Sequence, residues 1–345
     1  MILGEFFANP WVILLLKVVA IFGFFATAPM VLGYVEHKGL AHMQSRLGPM
    51  EAGKFHGWAQ LVADGVKFVQ KEDIIPSAAD RKVFALAPMV AIVPVILVFL
   101  VIPFGPPIAN STPASRIGCG DGGCGWWGEN LDLGLFFVLA VSSISVIGML
   151  MAGWSSANKF ALIGAIRGAA QLIAYELPLV LAASAVAMQA GTLSLVGIVE
   201  QQDAYWFVIP QIAGFSLFLI ASLAELSRPP FDMPIADSEL IFGYMTEYTG
   251  VRFAMFLLAE YAGIVALSGV ATVLYLGGWK GFIIPFIPAP LWTLAKIGAL
   301  SFIVIWLRAT YPRLREDQLQ KMAWKYLIPI ALVNILLTMV FKVAF

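Results

Sequence analysis

The chain is predicted to be an all-α integral membrane protein: one membrane domain over residues 1–345, a bundle of about eight transmembrane helices with an amphipathic surface helix in its first long loop. Three observations predict this. Hydrophobic residues make up 60% of the chain and charged ones only 12%, against about 25% charged in typical soluble domains. The apolar runs are continuous and about twenty residues long, as helical spans require, whereas barrel strands would alternate over about ten. The formal net charge is zero, so no global basic field suits the chain to nucleic acid.

The runs place spans at 9–34, 83–103, 133–153, 168–189, 205–226, 249–276, 290–309 and 324–344. The first is expected to be a span and not a cleaved signal peptide. No Lys or Arg precedes Lys17, the run is too long, and Pro29 would follow a cut at Ala26-Thr27-Ala28. The segment 35–82 is no ordinary connector. Trp58, Leu61, Val62, Val66, Phe68 and Val69 form an apolar stripe that predicts an amphipathic helix near 56–71, lying at the membrane surface. Gly48-Pro49 turns the chain before it and Pro76 ends the segment. Asp64 and Lys67 are spaced to pair on one face. A partner-binding loop without ligand contact is the competing reading.

After the second span, CGDGGC places Cys119 and Cys124 in a glycine-rich loop where a disulfide is plausible. A metal site is disfavoured, because two Cys with no His nearby supply half a zinc shell. In the fourth span, Glu176 stands close before Pro178, whose freed backbone groups help solvate a polar site. A neutral Glu bonded to a neighbouring helix is its bland alternative. Arg228-Pro229-Pro230 ends the fifth span, with Asp232 and Pro234 suited to start the next helical piece. Arg228 is expected to balance Asp232 or Glu225.

The stretch from Ala224 to Tyr261 says most about function. Glu225, Asp232, Asp237, Glu239, Glu247 and Glu260 fall within or between two apolar runs. A carboxylate at mid-bilayer costs roughly 2.5–3.5 kcal/mol on insertion scales, so such groups persist when neutral, paired or in contact with internal water. The sharp reading is a proton path or polar cavity. The bland one is a polar helix interface plus a solvated loop.

Charge sets the orientation. Loops 35–82, 154–167, 227–252 and 308–325 hold 7, 2, 2 and 5 Lys or Arg, 16 of the 21 in the chain. The opposite side has Arg116, Lys280 and Lys342, while Lys17 and Lys296 fall within spans. The positive-inside rule then puts loops 35–82 and 227–248 in the cytoplasm and both termini outside.

Three separated motifs in order, YVEHKGLAHMQSRLGP with ADGVKFVQKEDIIP, then AYELPL, then AELSRPPFDMPIADSELIFGYMTEYTGVRFAMFLLAEY, resemble the H subunit of type-1 respiratory NADH dehydrogenase, complex I. The likeness spans nearly the whole chain. It implies a subunit of a proton-translocating NADH:quinone oxidoreductase in a prokaryotic plasma membrane. Such a chain carries no redox centre of its own and binds no cofactor, with quinone as substrate and FMN and iron–sulfur clusters in partner subunits. It anchors the peripheral arm, forms most of the quinone chamber, and links that chamber through acidic residues to the other membrane subunits. By the resemblance, Glu176, Glu225, Asp232, Asp237, Glu239, Glu247 and Glu260 belong to the proton path, and Glu36, His37, Arg46, Asp64, Arg228 and Phe231 to the chamber. Two departures stand out: His37 occupies a position commonly Arg, and Ile235 one commonly acidic.

A quinone tail needs an apolar wall, for which Phe22, Phe24, Phe25, Trp58, Phe68 and Phe231 are candidates, each also ordinary packing. His37, His42 and His56 read as solvated loop residues. Two alternatives remain open. A related component of a membrane-bound hydrogenase would couple without quinone, and a free-standing secondary transporter would show inverted repeats, of which none is visible.

Overall fold

A computed structural model describes residues 10–106, 130–281 and 288–344. Cys119, Cys124 and Arg116 therefore lie outside the described residues. Every regular element described is helical: α1 (Pro10–Met43), α2 (Gln60–Gln70), α3 (Arg81–Val101), α4 (Gly134–Ser142), α5 (Ile144–Ser155), α6 (Lys159–Ala190), α7 (Leu195–Glu200), α8 (Ile212–Glu225), α9 (Asp237–Leu240), α10 (Gly250–Tyr275), α11 (Ala289–Thr310), α12 (Glu316–Met322) and α13 (Ile328–Ala344), with a 3₁₀ turn at Gly243–Met245 and a π turn at Ala323–Leu327. Among the described residues, seven helical stretches are long and apolar enough to cross a membrane, and Ile212–Glu225 is a shorter apolar helix. The chain is a multi-pass membrane protein.

Hydrogen bonds among the loops and helix ends define two faces. On one, Asp80 N donates to Ser155 O, Ile74 N to Thr249 Oγ1 and Leu314 N to Pro230 O. On the other, Leu135 N donates to Leu193 O and Val208 N to Tyr275 O. The first face, the basic face, gathers the segments 44–80, 226–249 and 311–327. Helix ends are set locally. Asp80 caps α3 through Lys82 N and Val83 N, Asn158 caps α6 through Phe160 N, and Gly191 closes α6 at φ 75°.

α6 and α10 are the inner helices. α6 packs on α5, α8 and α13, and α10 on α1, α3 and α11. Small residues allow the closest crossings: a Cβ on Gly148 of α5 would lie 2.7 Å from Ala91 N of α3. Such contacts matter in lipid, where helix association rests on packing and not on the expulsion of water.

The helix limits depart from the apolar runs in informative ways. α1 continues past residue 34 to Met43, and 34 residues rise about 51 Å, well beyond a hydrocarbon core of about 30 Å. No proline interrupts 35–43, and its acidic member, Glu36, is neutralised by the buried Arg228 and the partly exposed Arg308. The third run is divided at Ser143 into α4 and α5. α8 covers only 14 residues, about 21 Å, because 201–211 turns around Pro210. That turn is anchored by Gln202, which donates to Val273 O and accepts from Phe207 N. α2 forms where the stripe indicates, and Lys67 meets Asp64 at 3.3 Å.

Candidate functional site

The connection leaving α8 turns back into the protein instead of out to solvent, and carries Arg228 with it. Arg228 is 3% exposed. Its Nη1 donates to both carboxylate oxygens of Glu36, at 3.1 and 3.2 Å. Its Nε lies 2.6 Å from Glu260 Oε1, an ionic contact too bent to count as a hydrogen bond. Its guanidinium stacks over Tyr261, 4.4 Å from the ring centre. Arg308, in the last turn of α11, closes on the same Glu36 oxygen from the other side. Two arginines and two glutamates from α1, α10, α11 and the 226–236 connection thus form a neutral quartet. Such a group tolerates burial because each charge has its counter-charge and bonds in place. Burial draws the Arg228 pKa down, but Glu260, then Tyr261 and Asp232, outweigh it and hold it above the ordinary value. Arg228 was expected to balance Asp232 or Glu225: Asp232 does act on it electrostatically, but its ion-pair partners are Glu36 and Glu260, 192 and 32 positions away in the chain, and not Glu225.

A cavity of about 120 Å³ opens beside the quartet between α3, the α4–α5 break, α6 and α10. That is room for several waters. Glu260 lines it on one side and Glu225 on another, with Ser142, Ser145 and Ser227 adding hydroxyls to walls such as Phe256 and Leu172. The Ser142 hydroxyl lines the cavity with the Glu225 carboxyl while donating its hydrogen to Leu139 O at 3.0 Å, and Glu176 acts on Glu225 electrostatically. Glu225 Oε2 has no protein partner among the described residues. The α4–α5 break is what turns Ser142 towards the cavity. Ser142 and Ser143 spend their own hydroxyls on carbonyls three or four residues back, the local competition that loosens a helix.

The remaining acids lie on the basic face. Glu239 meets Arg167 at 2.6 Å and Arg313 at 3.5 Å, and Arg167 also reaches Glu316 at 3.3 Å. The Arg167 hydrogen bond first, and Arg313 second, hold the Glu239 carboxyl below its usual range. Glu247 accepts from Asn158 Nδ2 at 2.5 Å, Asp232 accepts from Ala236 N at 3.4 Å, and the side chain of Asp237 lies outside the described residues. The acids of 225–260 are therefore divided between a buried group and a surface clasp.

Of the other expected site residues, Phe231 is buried 5.4 Å from Tyr175, and its carbonyl accepts from Gln171. His37 is half-buried one residue from Glu36. Arg46 is exposed and bonds Gln44, and Asp64 bonds Gln60 and Lys67, so neither joins the quartet. Phe68 packs on Phe253; Phe22 and Trp58 are exposed. Phe24 and Phe25 pack on Phe99 beside the far end of α3, away from the basic face. His42 and His56 are exposed. The sequence reading missed Arg308, Tyr261, Arg167, Asn158 and Ser142. Arg308 was visible only as one more basic residue in a loop count, and Ser142 as part of the run Ser142-Ser143-Ile144-Ser145.

A family model described as NADH dehydrogenase matches residues 16–339. Three curated relatives, all H subunits of NADH-quinone oxidoreductase, are similar over most of their length. That of Geobacillus kaustophilus is 44% identical over 311 residues, 90% of this chain and 88% of the relative. That of Dehalococcoides mccartyi is 44% identical over 328 residues, 95% and 86% of the two chains. The one numbered 1 in Geobacter sulfurreducens is 43% identical over 341 residues, 97% of each.

Proposed function

This chain belongs to the NADH dehydrogenase family, and from that premise we propose that it is the membrane subunit of a proton-translocating NADH:quinone oxidoreductase that shapes the quinone chamber and couples quinone reduction to proton movement. The basic face is then cytoplasmic, in a prokaryotic plasma membrane, with both termini on the outer side. Flavin and iron–sulfur clusters reside in partner subunits, and quinone is substrate. The observation that carries the reading is the quartet beside a cavity lined by Glu225 and Glu260.

The chemistry follows from charge. Reducing a quinone to a quinol takes two electrons and two protons, so negative charge develops in the chamber until protons arrive. Glu36 and Arg308 face the basic side of the quartet, where Arg308 is about one-third exposed. Charge appearing there draws on Arg308 and Arg228. Every bond that Arg228 shifts towards Glu36 weakens its hold on Glu260 2.6 Å away. At an effective dielectric of about 20, one unit charge at 4 Å is worth about 4 kcal/mol, so a partial shift is enough to change the proton affinity of a neighbour. Glu260 shares the cavity with Glu225, whose free oxygen is the acceptor best placed to take or release a proton there. Glu176 continues the row in α6.

The deciding experiment separates the arms of the enzyme. In Glu260→Gln, electron transfer from NADH to an artificial acceptor should persist while quinone reduction and proton pumping fall together. Wild-type pumping per quinol in a fully assembled Glu260→Gln enzyme would overturn the reading.

A further inference from the structure

Away from this site, α12 passes into α13 through the π turn Ala323–Leu327. A π turn closes i→i+5 bonds and takes more residues per turn, so successive side chains splay less than on an α-helix. Trp324, Lys325 and Tyr326 are three successive exposed side chains, the two aromatics 57% and 55% exposed. Lys321, four residues before Lys325, is also exposed. Among the described residues neither lysine has a carboxylate within ion-pair reach. The acids of the preceding turn are engaged elsewhere, Glu316 by Arg167 and Asp317 by Arg315. The Trp324 indole N–H donates to Gln320 Oε1, which fixes the ring beside the lysines. Tyr326 heads an exposed apolar stripe at helical spacing: Ile330, Val333, Leu337 and Val340.

Along this edge the surface therefore runs from two cations without a carboxylate partner, Lys325 lying over the Tyr326 ring at 5.9 Å, through an aromatic pair to a bare aliphatic face. That order matches a phospholipid from phosphate to acyl chain, with Trp and Tyr at the headgroup level. We propose that Lys321 and Lys325 hold the phosphate of one anionic phospholipid whose acyl chain lies along Tyr326, Ile330, Val333 and Leu337. Two ammonium groups without counter-charge favour an anionic headgroup, while a zwitterionic one brings its own cation.

The test is competitive binding of spin-labelled phosphatidylglycerol and phosphatidylcholine to the full chain in its native assembly. Wild-type protein should retain a motionally restricted phosphatidylglycerol in preference to phosphatidylcholine. Each lysine should contribute about fivefold to that preference, the ~1 kcal/mol expected of a basic residue at an anionic surface. Lys321→Gln with Lys325→Gln should abolish the preference, and Lys321→Arg with Lys325→Arg should keep it. A photoactivatable phosphatidylglycerol should label the peptide around Tyr326. An unchanged preference in the double Gln variant overturns the proposal, as does equal retention of both lipids by the wild type. Cross-linking of the Lys325→Cys variant to another polypeptide of the assembly, with no lipid retained, also overturns it.

Discussion

Arg228→Lys is the sharpest test of the quartet, because it keeps the charge and removes the geometry. The guanidinium meets Glu36 through Nη1 and Glu260 through Nε while its face covers Tyr261. An ammonium is a point charge on a flexible stem and cannot span two carboxylates on different edges of a planar fork. A lysine here satisfies one glutamate and leaves the other exposed to a dry environment, with side-chain exposures of 3% for Glu36 and 14% for Glu260. Removing one partner of a buried pair costs about 3–5 kcal/mol, and at about 1.4 kcal/mol per factor of ten that is two orders of magnitude or more if borne entirely by the coupled step. Neighbouring Arg308 offsets part of the loss at Glu36, so a fall of about 10- to 100-fold in quinone reductase activity is expected. NADH oxidation by an artificial acceptor should be unchanged. Adding Glu36→Gln to Arg228→Lys removes the orphaned carboxylate and should recover at least tenfold of the lost activity. Full activity in the single variant, or a double variant no better than the product of the two singles, would refute the quartet as a coupled unit.

Other expectations follow from the surface clasp and the packing. Glu239 has a folded-state pKa below its unfolded value, so its contribution to holding the 234–247 segment is complete above the ordinary carboxylate range and is lost as pH falls through the lowered value. The protection of that segment against hydrogen exchange, after correction for the intrinsic pH dependence of exchange, should therefore fall on acidification below about pH 4.5, with Glu239→Gln weakly protected at every pH and flat across this window. Gly148→Leu drives a side chain into the backbone of α3 at Ala91 and should destabilise the α3–α5 crossing by more than the 1–3 kcal/mol typical of overpacking, seen as a lower thermal midpoint of the assembled enzyme.

Much of the fold was legible because a bilayer imposes a length and a composition on any segment that crosses it. Long apolar runs, the stripe of α2 and the Asp64–Lys67 spacing are local patterns: apolar helices, an amphipathic helix at Gln60–Gln70 and the Asp64–Lys67 pair are all present, with limits that differ from the runs. What was illegible depends on tertiary partners. Hydropathy ended the first span near Tyr34, but α1 runs on because Glu36 meets arginines from residues 228 and 308. The α4–α5 break contains neither Pro nor Gly, and a window average over serines among aliphatics still reads as a span. Membership in the acidic set was visible in sequence. Its division into a buried row and a surface clasp was not, since Arg167 and Asn158, which hold Glu239 and Glu247, lie 72 and 89 residues away.

That division decides which carboxylate should carry the proton. By sequence, Glu176 has the most apolar flanks, but in the fold it is only half-buried, between the exposed Ile173 and Leu177. Glu225 faces the cavity that Ser142 also lines, and among the described residues its Oε2 has no protein partner. A relay group needs a free site for the moving proton, and Glu225 offers one at the cavity. Glu225→Gln should therefore stop pumping and slow quinone reduction together, whereas Glu176→Gln should leave a measurable coupled rate. Ser142→Ala separates position from chemistry. It removes one hydroxyl from the cavity lining, a polar contact worth no more than about 0.5–1.5 kcal/mol, so coupled activity should fall by no more than about tenfold. In infrared difference spectra on quinone reduction, the carboxyl band assigned by its loss in Glu225→Gln should shift in Ser142→Ala and stay in place in Glu176→Gln. Coupled turnover that survives Glu225→Gln but disappears in Glu176→Gln would reverse this order and make the half-buried residue the obligatory carrier.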